Sequence, residues 1–265
     1  MAIERKKDKY GNKMRHRGGA LLRMTAAIVF WLLVWQVLSF LIGSELLLPS
    51  PLEVLRRLAA LVQKADFWYA VLHTSARIFG GFFMAVFSAL LLAVLSGVFQ
   101  IVRTLVYPFM AAVKSVPVAS FVILALIWIG SDSLSVFIAF VMVLPVMYTG
   151  ILAGIDARDE KMLEMAEVFG LSPIAKALYI YLPNAFPYTR AALCVSLGLC
   201  WKAGVAAELI GVPHGSVGEQ LYFSKAYFLT ADLFAWTFVI VVLSILFEKL
   251  VLLFADKAFT LFKRM

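Results

Sequence analysis

Four ionisable residues lie inside or at the edge of long apolar stretches: Arg77, Lys114, Lys202 and Glu208. A charge is costly in hydrocarbon, so such residues are first candidates for a solute path or a gate. Arg77 and Glu208 fall near the same end of their stretches, where they can pair with each other. Lys114 stands just before Pro117, and two readings of it stand. It lines a path and attracts an anion, or it lies close enough to the end of its stretch to snorkel. Lys202, which follows Trp201, is open to a cavity or to a subunit contact. No catalytic set accompanies these charges. The three histidines lie outside the apolar stretches, and His73 and His214 lack the carboxylate spacing of a metal site. Cys194 and Cys200 match neither a zinc knuckle nor a disulfide framework and read as packing residues. A phosphate loop of the form G-x-x-x-x-G-K-[ST] is absent, and no Lys follows a Gly. The expectation is a chain with no catalytic residue, no metal ligand and no cofactor of its own.

The elements that position these residues follow from composition. The 265 residues are 63% hydrophobic and 15% charged, far more apolar than a soluble domain. Six nearly uncharged stretches run over 24–44, 78–102, 104–131, 133–155, 191–207 and 233–247, the last with a tail to 255. Each is long enough, or nearly so, to span a bilayer as a helix. The expected fold class is therefore all-α integral membrane, a six-span bundle forming one domain. Asp132 alone separates the third and fourth stretches, so these form a tight helical hairpin turned at Gly130.

Orientation comes from the positive charges. With the N-terminus cytoplasmic, seventeen Lys and Arg fall inside, eight of them in the arm over residues 1–23, and four (Arg56, Arg57, Lys64 and Lys225) fall outside. Both termini are expected in the cytoplasm of a cell-membrane protein. The formal net charge of +8 sits at the ends of apolar runs and not on an aromatic-rich face, so the partner is the lipid bilayer and not nucleic acid. On this topology residues 45–73 are an external connection with a surface helix over 52–62, capped by Ser50 with Pro51 in its first turn. The external segment 208–230 reads as a glycine-rich structured loop with at most one or two helical turns.

The cytoplasmic segment 156–190 is too long for a plain connector. A helix is expected over 159–169, ended by Gly170. Ser172 caps a second helix with Pro173 at its first position, which runs to Tyr181 until Pro183 and Pro187 stop it. A helix, sharp turn and helix held at a membrane surface suit insertion into a groove on a partner.

The spacing of Glu164, Ala166, Gly170, Ile180, Leu182 and Pro183 resembles the EAA loop of ABC importer permeases, with Met165 replacing the first Ala of the usual triplet. The flanks resemble the nitrate/sulfonate/taurine/bicarbonate type of these permeases. They are Leu48-Pro49-Ser50-Pro51, Arg77 with Gly81, Ser115-Val116-Pro117, Trp128-Ile129-Gly130, and Ala206-Ala207-Glu208 followed by Gly215 and Gly218. The resemblance covers roughly residues 45–255. It implies a type I permease bundle whose loop, with Glu164, Ala166, Gly170, Leu171, Ser172, Ile180, Leu182 and Pro183, couples to a separate cytoplasmic ATPase that binds ATP and Mg. It implies as further partners an extracytoplasmic substrate-binding protein and a second permease, either another copy in a homodimer or a related subunit. The solute is then a small anion of the nitrate, sulfonate or taurine kind, or a small vitamin precursor, with Lys114, Pro117, Arg77, Lys202 and Glu208 as path or gating candidates. The resulting division is a basic arm over 1–23, a first span over 24–44, the external loop 45–73, a permease core over 74–256 and a cytoplasmic tail over 257–265. The rival is a stand-alone secondary transporter or channel, which calls for inverted repeats with broken helices at mid-membrane; no convincing repeat is visible.

Overall fold

A computed structural model of the chain describes residues 23–262. The basic arm, apart from Arg23, and the last three residues lie outside the described residues. Every regular element among those described is helical: α1 over Arg23–Ile42, α2 over Pro51–Val62, α3 over Ala65–Val98, α4 over Gln100–Ser115, α5 over Val118–Ile129 and α6 over Leu134–Asp156. Then come α7 over Glu160–Val168, α8 over Pro173–Lys176, a wide π-helical turn over Ala177–Tyr181, α9 over Leu182–Gly211, α10 over Val217–Ala226 and α11 over Thr230–Phe262.

Five of these are long and apolar enough to cross a membrane: α1, α3, α6, α11 and the rod over Pro173–Gly211. The third expected span, 104–131, is not one helix. It is the pair α4 and α5, bent by 105°. Val116 and Pro117 are both extended, with ψ of 132° and 134°, because the Pro117 ring excludes the helical conformation at the residue before it. The hairpin expected after this stretch is present. Gly130 ends α5 at φ 70°, its N–H bonded to the Leu126 carbonyl, and α6 starts four residues on.

α6 is the centre of the bundle, packed along α3 on one side and α9 on the other. Its contact with α9 is close because Gly150 and Gly154 bring the backbones together. A Cβ on Gly150 would stand 2.3 Å from the Ala192 Cβ, and one on Gly154 2.7 Å from the Ala185 Cα. Without a hydrophobic drive in lipid, such small-residue contacts supply the packing energy. Tyr148 on α6 donates to Ser96 Oγ on α3 at 3.0 Å in the buried interior. The apolar core of α1 is 0% buried in the protein, as expected of a peripheral span facing lipid.

Several helices, α3, α9, α10 and α11, run longer than the sequence indicates. α2 is capped as expected, with Ser50 Oγ accepting from the Glu53 N–H at 3.2 Å, but α3 begins at Ala65, inside the expected external loop. α11 runs through residues assigned to a cytoplasmic tail. α10 is a ten-residue helix where one or two turns were expected. Its N-cap is Ser216, which accepts from the Glu219 N–H at 2.9 Å.

Candidate functional site

α7 is capped by Asp159, whose carboxylate accepts from the Lys161 N–H at 3.0 Å. It ends in a Schellman motif. The Leu171 N–H bonds the Ala166 carbonyl at 2.9 Å and the Gly170 N–H bonds the Glu167 carbonyl at 3.0 Å, with Gly170 at φ 64°. The chain reverses at once into α8, where Ser172 Oγ accepts from the Ala175 N–H at 3.2 Å and Pro173 fills the first turn. Lys176 Nζ reaches Glu167 Oε1 at 3.2 Å, a clasp between the two limbs.

The expected stop at Pro183 and Pro187 is not found; the helix continues as α9. The wide turn makes this possible. The Leu182 N–H bonds the Ala177 carbonyl five residues back, so the chain gains room just before Pro183, which falls in the first turn of α9 and needs no N–H there. Pro187 sits inside the helix with its neighbours near the surface.

The element has two faces. Ala166 and Ile180 are buried at 1% and 5% exposure, while Val168, Phe169 and Ile174 at the bend are 85%, 75% and 72% exposed. Met165 and Leu182 are also exposed, as are Glu164 and Pro183, and Leu171 is half-buried. Two bidentate forks brace the helices at the base of this element. Arg103 on α4 grips Asp156 at the end of α6 at 3.1 and 2.8 Å, and Arg190 on α9 grips Asp256 on α11 at 2.8 and 3.2 Å. Sequence reading counted the arginines as orientation signals and missed their partners.

The charges of the spans are dispersed. Lys114, exposed in the last turn of α4, donates to Thr149 Oγ1 at 3.2 Å. Thr149 lies seven residues before the end of α6, so this amine is about 10 Å inside the bundle from that end. Pro117 forms the break just beyond it. Lys202 is exposed on α9 and makes no ion pair among the described residues.

Arg77 and Glu208 are not paired. Arg77 Nη2 lies 3.4 Å from Asp132 Oδ1, in the α5–α6 turn. Glu208 is fully buried, its Oε2 accepting from Thr74 Oγ1 at 2.8 Å and from the Gly218 N–H at 3.3 Å. Thr74 Oγ1 in turn accepts from the Val217 N–H at 2.9 Å. The carboxylate thus sits at the N-terminus of α10, where free amides and the helix dipole favour an anion. Gly218 lets that helix end approach: a Cβ there would stand 2.2 Å from the Glu208 Cβ. Thr74 went unremarked in the sequence, although it lies one helical turn before Arg77 on the same face.

His73 and His214 serve the same loop between α9 and α10. His73 Nδ1 lies 3.3 Å from the Gly215 carbonyl and His214 Nδ1 3.1 Å from Glu219 Oε1. Among the described residues no group of three or more His, Cys, Asp or Glu side chains is placed to hold a metal ion.

A multi-span helical bundle carrying an exposed, apolar-tipped helix-turn-helix defines the class of multi-pass helical membrane proteins. Residues 85–259 match the family described as "Binding-protein-dependent transport system inner membrane component", and the chain belongs to that family. It is the permease component of an ABC importer. Among its relatives, the "Taurine transport system permease protein TauC" of Escherichia coli (strain K12) is 25% identical over 81% of this chain and 80% of its own length. The "Putative aliphatic sulfonates transport permease protein SsuC" of Bacillus subtilis (strain 168) is 26% identical over 84% and 82%. The "Nitrate import permease protein NrtB" of Synechocystis sp. is 25% identical over 78% and 77%. A solved structure titled "Crystal structure of an amino acid ABC transporter with histidines" shares the fold, with a TM-score of 0.54 at 18% identity over 71% of this chain and 90% of that one.

Proposed function

We propose that this permease carries a small oxyanion of the sulfonate or nitrate class, and that the element from Glu160 to Tyr181 transmits force to it from a separate cytoplasmic ATPase. The observation that carries the coupling role is the tip. Val168, Phe169 and Ile174 are more than 70% exposed on a rigidly capped bend, and apolar side chains held out in water on a fixed backbone suit a groove on a partner. The tip is joined to the spans by an unbroken helical path, so rocking it moves α9 as a body. The ATPase binds ATP and Mg, and this chain supplies no catalytic group. The substrate class is supported by two exposed span cations, Lys114 and Lys202, and by the printed names of the relatives. An external binding protein delivers the solute, and a second copy of the permease completes the path. Both termini, like the tip, lie in the cytoplasm.

The test is purification of the complex in mild detergent with mass spectrometry of what accompanies the chain, using Gly170→Asp as the control. Nothing lies within 4 Å of where a Cβ on Gly170 would stand, so the variant keeps the bundle and places a charge and a strained turn at the tip. A Walker-A-bearing polypeptide is expected with the native chain, and uncoupling of its ATP hydrolysis from uptake in the variant. Uptake at the native rate by Gly170→Asp defeats the coupling role.

A further inference from the structure

We infer that Arg77 and Glu208 are the two halves of a charge latch that stands open in this structure and closes during transport, when Arg77 leaves Asp132 for Glu208. The inference rests on the permease reading and adds to it a gate at the end of the bundle remote from the tip.

Three buried polar atoms on α3, α6 and α9 lack hydrogen-bond partners: Arg77 Nη1, Ser135 Oγ and Glu208 Oε1. Buried polar groups left half-satisfied in a low-dielectric interior are costly to maintain. The cost falls if they join. Geometry allows it. Thr74 and Arg77 are one turn apart on one face of α3, and Thr74 already touches Glu208 Oε2, which leaves Oε1 free beside the next turn.

The contact that holds the latch open is weak by construction. Arg77 meets Asp132 through a single 3.4 Å approach, and the Asp132 side chain is 81% exposed while that of Arg77 is 13% exposed. A solvated carboxylate on a short turn gives little beyond what water gives. Closing the pair would draw α3 to α9 and release the α5–α6 turn, while Glu208 keeps hold of α10 through Gly218. Because α9 continues into the docking element, the latch and the tip lie on one helical rod.

The test uses the full transporter in cells that depend on it, with uptake and ATPase co-purification read from the same membranes. In Glu208→Gln the amide oxygen still accepts from Thr74 and the Gly218 N–H, so a role limited to capping α10 survives the change. The latch predicts normal assembly and thermal stability but at least a tenfold fall in uptake. Asp132→Asn, which removes only the open-state partner, is expected to keep uptake within twofold of native or to raise it. Uptake within twofold of native in Glu208→Gln would overturn the latch in favour of a static, water-bridged cap. So would loss of the ATPase from that variant, or an equal fall in Asp132→Asn. Failure of the ATPase to accompany even the native chain would strike the coupling proposal, while the uptake comparison still decides the latch.

Discussion

Lys114 has a neutral partner, Thr149, and an exposed amine about 10 Å from the end of α6. If its charge attracts the solute, Lys114→Gln keeps a donor for Thr149 and removes only the charge. The expected result is a KM for oxyanion uptake raised about tenfold, roughly 1.4 kcal/mol, with unchanged chain level; Lys114→Arg should retain most of the affinity. Initial rates across a concentration series decide it, and an unmoved KM takes Lys114 out of the path. Gly154 makes the opposite kind of prediction. A side chain there meets the Ala185 backbone, so Gly154→Val should cost on the order of 1–3 kcal/mol and lower the melting temperature in detergent; an unchanged melting temperature refutes the close α6–α9 seam. At this scale the sequence was legible at several sites where a side chain acts within four residues of itself, though the Ser216 cap of α10 was missed. Ser50, Ser172 and Gly170 were placed as caps and turn, and they are. The side-chain partners of Glu208, Arg103 and Arg190 come from 53 to 134 residues away, and Thr74, Asp156 and Asp256 carry no local mark of that role.

Among the elements, five of the six expected spans were readable as single helices and the path of the third was not. Hydropathy reports that residues 104–131 are apolar but is blind to direction, and the 105° bend is set by one dipeptide, Val116-Pro117. Pro117→Ala frees Val116 to become helical and lets α4 and α5 straighten. Uptake is then expected to fall at least fivefold with little loss of chain from the membrane; measured uptake at the native rate would make the bend incidental. The opposite error occurred at Pro183, where a proline was read as a stop. A stop needs a lost hydrogen bond and a clash with the preceding turn, and the π-helical turn at Ala177–Tyr181 removes the clash. The glycines of 211–218 misled in a third way. Gly218 is there because Glu208 packs against it, so its presence marks a close approach of α10 and not a loop.

The whole molecule has a polarity that its charges predict and its contacts make functional. Seventeen positive residues fall on one side of the expected topology, and the apolar tip lies on that side, next to the Arg103–Asp156 and Arg190–Asp256 forks. An exposed apolar patch such as Val168, Phe169 and Ile174 suits an interaction site, and on the proposed function this side faces the compartment that holds the ATPase. The rod over Pro173–Gly211 has 39 residues, about 58 Å at helical rise, enough to join a tip on one side of the bilayer to Glu208 near the other. These relations can be read together by labelling. With Cys194 and Cys200 replaced, Gln63→Cys at the end of α2 should react with a membrane-impermeant thiol reagent on intact cells. Val168→Cys should react only after the membrane is opened, and more slowly when the ATPase is bound. Labelling of Val168→Cys on intact cells would invert the topology and take the tip out of reach of any cytoplasmic ATPase, whereas equal labelling with and without the ATPase would leave the topology standing and remove the tip from the interface.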